Sequence, residues 1–299
     1  MAGVRVSSPG RAAPDVHDFV MATTLRSFLR HRLHWLLFGA AFLFLFWPTL
    51  AWMAARFDAA DSFYSHGWLI PPAAAWLAWQ RRGVVSRLVP RPSYWGLLAL
   101  IVCAVLHVLS SWWGLNFVSG FAMVVSLWAL TWTLWGWSAL WALRFPLLFL
   151  LFMVPLPGVL LVAVSFQMKL LAATLAAHVL HALGVPALQA GSMIRLPGIN
   201  IMVDDTCSGL RSLISLAALS TLWTTLLPEA AARWKRLVMV AASVPIALAA
   251  NMVRIVILSL IGLAFGLKMA EGFIHYGSGM VVFGIAVAAL AGLGRWLCR

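Results

Sequence analysis

The chain has 299 residues, of which 63% are hydrophobic and only 10% are charged. A water-soluble protein could not cover itself with so little polar surface, and apolar runs long enough to span a bilayer recur along the whole sequence. These properties exclude a soluble globular fold and predict an all-α, polytopic helical membrane protein. The formal charge of +13 would suggest nucleic acid in a soluble chain. Here the basic residues cluster in short loops, which indicates membrane orientation and no nucleic-acid partner.

The first 25 residues are polar and contain Pro9 and Pro14, which predicts a disordered cytoplasmic tail before a transmembrane domain over residues 26–299. Three arginines at positions 26, 30 and 32 precede the first apolar run, so the N-terminus is placed inside the cell. We interpret this run as an uncleaved first span, because it lacks a convincing cleavage site and further spans follow.

Eight spans are predicted, with both termini in the cytoplasm. They are Leu33–Ala55, Trp68–Gln80, Trp95–Trp113, Phe117–Trp137, Phe145–Val154, Ser208–Leu227, a seventh that starts at Leu237, and Gly277–Leu297. The second contains Pro71 and Pro72, so its helix is expected to start in the preceding loop or after a broken turn. Arg144 is expected in a cytoplasmic turn before the fifth span.

The segment Val159–Leu183 is long enough to cross, but polar residues recur along it at helical spacing. They are Gln167, Thr174, His178 and His181. If this segment crossed, the basic loop Arg233–Arg236 would lie outside, against the positive-inside rule. We therefore predict an amphipathic helix on the outer surface. Beyond it, Met193–Leu196 and Asn200–Val203 could pair as a short hairpin.

The segment Ile201–Ser212 holds two carboxylates, a cysteine, a glycine and an arginine, directly before an apolar run. Cys207 is thus predicted at the outer end of span six, where a helix N-terminus favours the thiolate. Arg211 would add positive field, whereas Asp204 and Asp205 would raise the pKa of the thiol. The alternative for Cys207 alone is a small residue that caps the helix.

Two further reactive groups are predicted at the same depth. Arg254 lies in an apolar run, 17 residues beyond the inner start of span seven. That is about 26 Å along a helix, near the outer edge of the bilayer. His275 comes just before span eight. The alternatives are a structural tie between Arg254 and Asn251, a backbone carbonyl or Glu271, and an interfacial role for His275.

Together the three groups form a known chemical set. Cys207 would be the nucleophile, and His275 would be its base and the acid toward a leaving amine. Arg254 would hold the oxyanion of the tetrahedral intermediate. The product of the first half-reaction would be a thioester on Cys207.

Several segments resemble the exosortase/archaeosortase family of polytopic cysteine transpeptidases. They are D-D-T-C-S-G-L-R-S around Cys207, N-M-V-R-I around Arg254, the His275 segment, Y-S-H-G-W-L-I-P from Tyr64 and F-M-V-P-L-P from Phe152. The resemblance covers about residues 35–298. It implies a catalytic triad of Cys207, Arg254 and His275. Many members have an alanine before the cysteine, where this chain has Thr206, and this leaves the roles of Asp204 and Asp205 open.

The resemblance also implies a substrate class and a location. Family substrates are secreted proteins with a short Pro-Glu-Pro-type motif, one membrane helix and a basic tail, and the family is tied to extracellular polysaccharide production. The expected location is the inner membrane of a Gram-negative bacterium, with the active site facing the periplasm. The other expected partner is membrane lipid. The oligomeric state and the choice between transfer and hydrolysis stay open.

Six further residues are expected to bind substrate or to support the site: Asp204, Asp205, Ser208, Arg211, Asn251 and His66. No cofactor or metal is expected, because the three cysteines have no metal-type spacing. One alternative function is a polysaccharide-export or transport component in which Arg254 is a substrate charge site. The chain lacks paired broken helices in two matching halves, which argues against a transporter. A second alternative is a non-enzymatic assembly or lipid-binding factor.

Overall fold

The structure is a computed structural model. It describes residues 33, 36–60, 62–203, 209–227, 232–266, 269 and 273–298, with the backbone alone at 273–276. The predicted tail, residues 1–25, lies outside the described residues. The chain divides into two compact units, Met1–Pro48 and Thr49–Arg299, and all contacts discussed below are within the second.

Helices dominate the described residues. They are α1 (Leu36–Leu45), α2 (Trp47–Asp58), α3 (Ile70–Gln80), α4 (Arg82–Val85), α5 (Tyr94–Trp112), α6 (Asn116–Trp135), α7 (Trp137–Phe149), α8 (Gly158–Ala182), α9 (Leu210–Trp223), α10 (Arg233–Ala241), α11 (Ser243–Phe265) and α12 (Phe273–Cys298). By length and composition, five could cross a membrane: α5, α6, α8, α10 with α11, and α12. The number becomes six if α1 and α2 cross as one span. The all-α membrane class is confirmed, and the predicted count of eight spans is not.

The entry into α3 follows the prediction made from its two prolines. A 3₁₀ turn, Ser65–Leu69, precedes the helix, and Pro71 and Pro72 occupy its first turn. Prolines are tolerated there because the first N–H groups of a helix have no partner within the helix.

Arg144 lies inside α7, so its predicted place in a cytoplasmic turn is wrong. The turn is at Gly136, whose φ of 85° ends α6. A Cβ at Gly136 would come within 2.3 Å of the carbonyl oxygen of Arg91, so this position requires glycine. Arg144 fits the helix because its guanidinium lies 4.4 Å from the centre of the Trp141 ring and donates to the Trp141 carbonyl.

Helix α8 carries the sheet that leads to the cysteine segment. Its face of Ala172, Ala173 and Ala176 is fully buried and packs with α11. The polar positions Gln167, His178 and His181 are exposed. Its predicted place on the outer surface stays a prediction, because its length and composition also suit a span.

Three antiparallel strands in the order β1 (Leu188–Ala190), β2 (Met193–Leu196) and β3 (Ile199–Met202) follow α8. The predicted hairpin is confirmed as β2 with β3, in the register Met193 to Met202. The sheet also contains β1, which was not predicted.

Helices α9, α11 and α12 form a second core around Leu216, Ala247 and Leu290, each fully buried. Helix α12 begins at Phe273, so His275 lies in its first turn, just before the candidate span Gly277–Cys298. Helix α10 begins at Arg233, so the basic residues of the predicted inner loop are helical. This core brings the helix after Cys207, the helix of Arg254 and the helix of His275 together.

Candidate active site

The residues predicted for the site differ in how far the structure describes them. Cys207, Asp204, Asp205 and Ser208 lie outside the described residues, and His275 is described by its backbone alone. Arg254, Asn251, Arg211 and His66 are described in full. The geometry of the site is therefore built from the residues that flank the first group and from the four described side chains.

Gly209, two residues after Cys207, contacts α11. It has a φ of 75° at the start of α9, a conformation that favours glycine. A Cβ there would lie 3.0 Å from both Cβ and Cγ of Asn251. Asn251 is itself buried. The absence of a side chain at Gly209 thus lets the segment after the cysteine approach α11 at Asn251.

Arg254 follows Asn251 by three residues on α11, which is about 4.5 Å along the helix axis. Its side chain is half-buried, and its guanidinium lies against α12. A Cβ at Gly279 would come within 3.3 Å of Cζ and 3.4 Å of one terminal nitrogen of Arg254. Gly279 thus provides the space that the guanidinium occupies.

Gly279 lies four residues after His275, about one turn of α12. Two contacts, Gly209 with Asn251 and Gly279 with Arg254, therefore connect the helix that follows Cys207 to the helix that carries His275. Arg254 lies between them. A guanidinium at this position has planar N–H donors that can stabilise a developing negative charge.

Arg211 ties the first turn of α9 to the loop after α2. One of its terminal nitrogens donates to the carbonyl oxygen of Ala60 at 3.1 Å. The sequence predicted that Arg211 would add positive field to the cysteine. That effect stays a prediction, and the structure shows that Arg211 connects the start of α9 to the loop at Ala60.

His66 packs against α9, two turns after the cysteine segment. Its Nδ1 lies 3.2 Å from Oγ of Ser215 on α9, and its ring stacks on that of Tyr64 at 5.8 Å. Nε2 is buried and makes no well-aligned hydrogen bond within the described part of the chain. Burial lowers the pKa of His66, and the nearby carbonyl of Phe152 acts in the opposite direction. The neutral imidazole is thereby favoured.

The 3₁₀ turn that holds His66 is fixed from two sides. A Cβ at Gly67 would clash with the ring of Phe57 at 2.3 Å, so the ring packs directly on the backbone. The Tyr64 hydroxyl accepts a hydrogen bond from the N–H of Leu156 at 3.1 Å. The two sequence segments that resemble the family, around Tyr64 and around Pro155, are therefore in contact.

A cavity of about 380 Å³ opens beside this contact. We call it the Tyr64 cavity; its lining includes Trp52, Arg56, Tyr64, Asn116, Pro155 and Pro157. Ala59 and Ser62, on either side of the carbonyl that Arg211 binds, also line it. The cavity thus adjoins the loop that is bonded to the start of α9, and Arg56 supplies its positive charge.

Sequence reasoning missed Gly209 and Gly279 as determinants of the site, and Arg56 and Asn116 as cavity residues. A glycine two residues after the cysteine and another four residues after the histidine are a usable signal, because glycines allow close approach of backbones and side chains. For Arg56 and Asn116, the sequence contains no comparable signal, since the two residues meet only through the fold.

A comparison with protein-family models found a match that covers these segments. The family model described as Transmembrane exosortase (Exosortase_EpsH) matches residues 52–292. No curated protein and no solved structure matches the chain. The matched range includes the cysteine, arginine and histidine segments and both sides of the Tyr64 cavity. The chain therefore belongs to the transmembrane exosortase family.

Proposed function

We propose that this exosortase is a membrane-embedded cysteine transpeptidase that cleaves C-terminal sorting signals of secreted proteins through a thioester on Cys207. Family membership supports the transpeptidase class. The observation that carries the residue assignment is the position of Arg254, between the contact of Gly209 with Asn251 and the first turns of α12. In this assignment Cys207, Arg254 and His275 are catalytic.

In the first half-reaction the Cys207 thiol gives its proton to the imidazole of His275. The thiolate sulfur attacks the scissile carbonyl carbon, and a C–S bond forms as the carbonyl oxygen becomes an oxyanion. Arg254 donates hydrogen bonds to that oxyanion. These bonds stabilise the transition state, because negative charge develops on this oxygen as the bond to sulfur forms.

Collapse of the tetrahedral intermediate breaks the C–N bond. The imidazolium of His275 protonates the leaving amine, so the C-terminal helix and tail depart as a neutral amine product. The secreted protein stays on Cys207 as a thioester. An amine, for transfer, or water, for hydrolysis, then attacks the thioester and regenerates the thiol.

The substrate class in this proposal is a secreted protein with a C-terminal motif, a membrane helix and a basic tail. Such a helix would stop in the inner membrane and present its motif at the periplasmic face, the depth predicted for Cys207. The Tyr64 cavity supports this substrate, since Arg56 could pair with an acidic residue of the motif. Sorting of surface proteins, linked to extracellular polysaccharide, is the proposed cellular role.

The test is intact-mass measurement on the purified protein mixed with a tailed substrate. A covalent adduct that hydroxylamine removes is expected on the parent and absent in Cys207→Ala. Cys298→Ala is the matched control, because Cys298 is exposed but lies at the other end of α12 from His275. Undiminished processing by Cys207→Ala would contradict the mechanism and favour an export or transport component.

A further inference from the structure

Strand β3 is an edge of the three-stranded sheet, and it leads directly into the cysteine segment. It pairs with β2 on one side, in the sheet order β1-β2-β3, and no described strand lies on its other side. Cys207 follows Met202, the last residue of β3, after a short connection. Five residues of extended chain span at most about 18 Å, so the end of β3 lies within that distance of the cysteine backbone.

The hydrogen bonds of the hairpin show which backbone groups of β3 point away from β2. Val203 donates to the carbonyl of Ser192 at 2.9 Å, so these two residues form a hydrogen-bonded pair. Bonded and non-bonded pairs alternate along an antiparallel ladder. In the observed register, Ile201 therefore belongs to a bonded pair, and Asn200 and Met202 belong to non-bonded pairs. The N–H and C=O groups of Asn200 and Met202 thus point toward the free edge.

These outward groups make no hydrogen bond to any residue that the structure describes. The side chain of Met202 is 59% exposed, and that of Asn200 is exposed as well. The opposite face of the strand, with Ile199 and Ile201, packs on the core between α8 and α11. The strand is therefore held by its buried face, while its edge offers two N–H donors and two C=O acceptors.

The other edge of the sheet is less suited to bind a chain. Strand β1 has three residues, and by the same alternation only Gln189 directs its backbone groups outward. The width of β2 also separates β1 from β3, by roughly 10 Å. Proteins often protect open edges with charged residues or proline, and β3 contains neither. The unprotected edge is thus the one beside the cysteine segment.

We propose that the edge of β3 binds the extended segment of the substrate that contains the scissile bond, as a fourth strand of the sheet. This inference rests on the proposed function, because the occupant is the substrate of Cys207. N–H and C=O groups at strand spacing match a polypeptide backbone, and an added strand bonds through every second residue. About five substrate residues, at 3.3 Å each, cover the distance from this edge to the cysteine.

The first test removes one outward N–H. Met202→Pro leaves the bonds to β2 intact, since proline is tolerated at an edge position whose N–H faces away from the sheet. We expect kcat/KM for a tailed substrate to fall about tenfold, the loss for one hydrogen bond whose partner is left unsatisfied. Met202→Ala keeps the N–H and should lose less. Leu188→Ala is the matched control, because Leu188 is 73% exposed on the same face of the sheet, at its other edge. This control should process substrate as the parent does.

The second test changes the substrate and does not depend on the folding of a variant. Tailed substrate peptides that carry one N-methyl group each lack a single N–H. In an added strand, every second N–H points toward β3, so the loss of kcat/KM should recur at alternate positions beside the scissile bond. Equal loss at consecutive positions, or no loss at any, would overturn the proposal.

Two further outcomes separate this proposal from the catalytic one. Parent-like kcat/KM in Met202→Pro, together with inactive Cys207→Ala, would reject the edge and leave the thioester mechanism in place. Processing that survives in Cys207→Ala would instead reject the mechanism and, with it, this occupant. A parent that is dimeric by native mass spectrometry and a monomeric Met202→Pro with parent-like rates would assign the edge to a second copy of the chain.

Discussion

The guanidinium of Arg254 on α11 lies against the backbone of α12 at Gly279, where a Cβ would come within 3.3 Å of its Cζ. A charged group inside a membrane helix is costly unless it has a role or a partner. The space at Gly279 lets this group lie between α11 and α12, near the start of α12, the helix that carries His275. The relationship makes Gly279 a positioning residue for the proposed oxyanion donor.

We expect Gly279→Ala to lower processing by on the order of tenfold. The new methyl group is close enough to displace the guanidinium by a few tenths of an ångström, and a 1 Å misplacement in an active site can cost about 10²-fold. Gly284→Ala is the matched control on the same helix, since nothing lies within 4 Å of a Cβ there. Processing rates of both variants, at equal expression, test this. Equal rates for the two would contradict the proposed position of Arg254.

Arg254→Lys should reduce processing by on the order of 10²–10³-fold, the loss typical of one oxyanion donor. A lysine keeps the charge but cannot reproduce the planar pair of donors.

His275→Ala should slow acylation by on the order of 10²–10⁴-fold, and the acylation rate of this variant should rise with pH as the thiolate forms. Single-turnover acylation rates across pH would measure both. A His275→Ala profile as flat as that of the parent would argue against the base role.

Because His66 is partly buried, we expect the stability of the folded protein to depend on pH, and the direction of that dependence can be derived. Burial lowers its pKa from the usual 6.5, so the folded state binds fewer protons at this ring than the unfolded chain. The stabilising contribution of the neutral ring is present above pH 6.5 and is lost as the pH falls through the folded pKa. The melting temperature should therefore fall between about pH 6.5 and 5 in the parent and less in His66→Gln.

His178→Gln is the control for that measurement, because His178 is exposed on α8. An identical dependence of melting temperature on pH in the parent and in His66→Gln would show that the buried ring does not contribute to it.

His66→Ala should weaken processing less than His275→Ala. Equal losses would make His66, with its contact to Ser215, the better candidate for the base.

The sequence predicted the bounds of some long helices well, and it predicted the close contacts poorly. Helix α5 differs from its predicted span by one residue at each end, because one continuous apolar run defines it. The β2–β3 hairpin was found because Pro197 and Gly198 mark its turn. Strand β1 was missed, since Leu188–Ala190 is only three residues long and has no β-branched residue.

The geometry of the site could not be read from the sequence, for a different reason. Hydropathy gives the depth of a residue along its own helix, but not the side of that helix that meets a neighbour. Arg254 was therefore placed at a depth, while its contact with α12 appeared only in the structure. The same limit hid the proximity of His66 to Ser215, which are 149 positions apart.

Membrane orientation is the remaining prediction, and labelling can test it. Single cysteines introduced at Ala60 and Asn200, both exposed, should react with an impermeant thiol reagent added outside intact cells. A cysteine at Ala231 should not react, because the basic loop beside it is predicted to be cytoplasmic. Labelling at position 231 from outside would reverse the orientation and remove the periplasmic active site.

The sheet and Gly209 together constrain how the chain length can vary around the cysteine. Val203 is buried and donates to the carbonyl of Ser192 at 2.9 Å, and Gly209 is packed on Asn251. Residues 204–208, which include Cys207, connect these two fixed points. One added residue can lengthen such a connection by up to about 3.4 Å, comparable to a hydrogen-bond distance. The number of residues in this connection should therefore be constant within the family, so that insertions and deletions here are selected against.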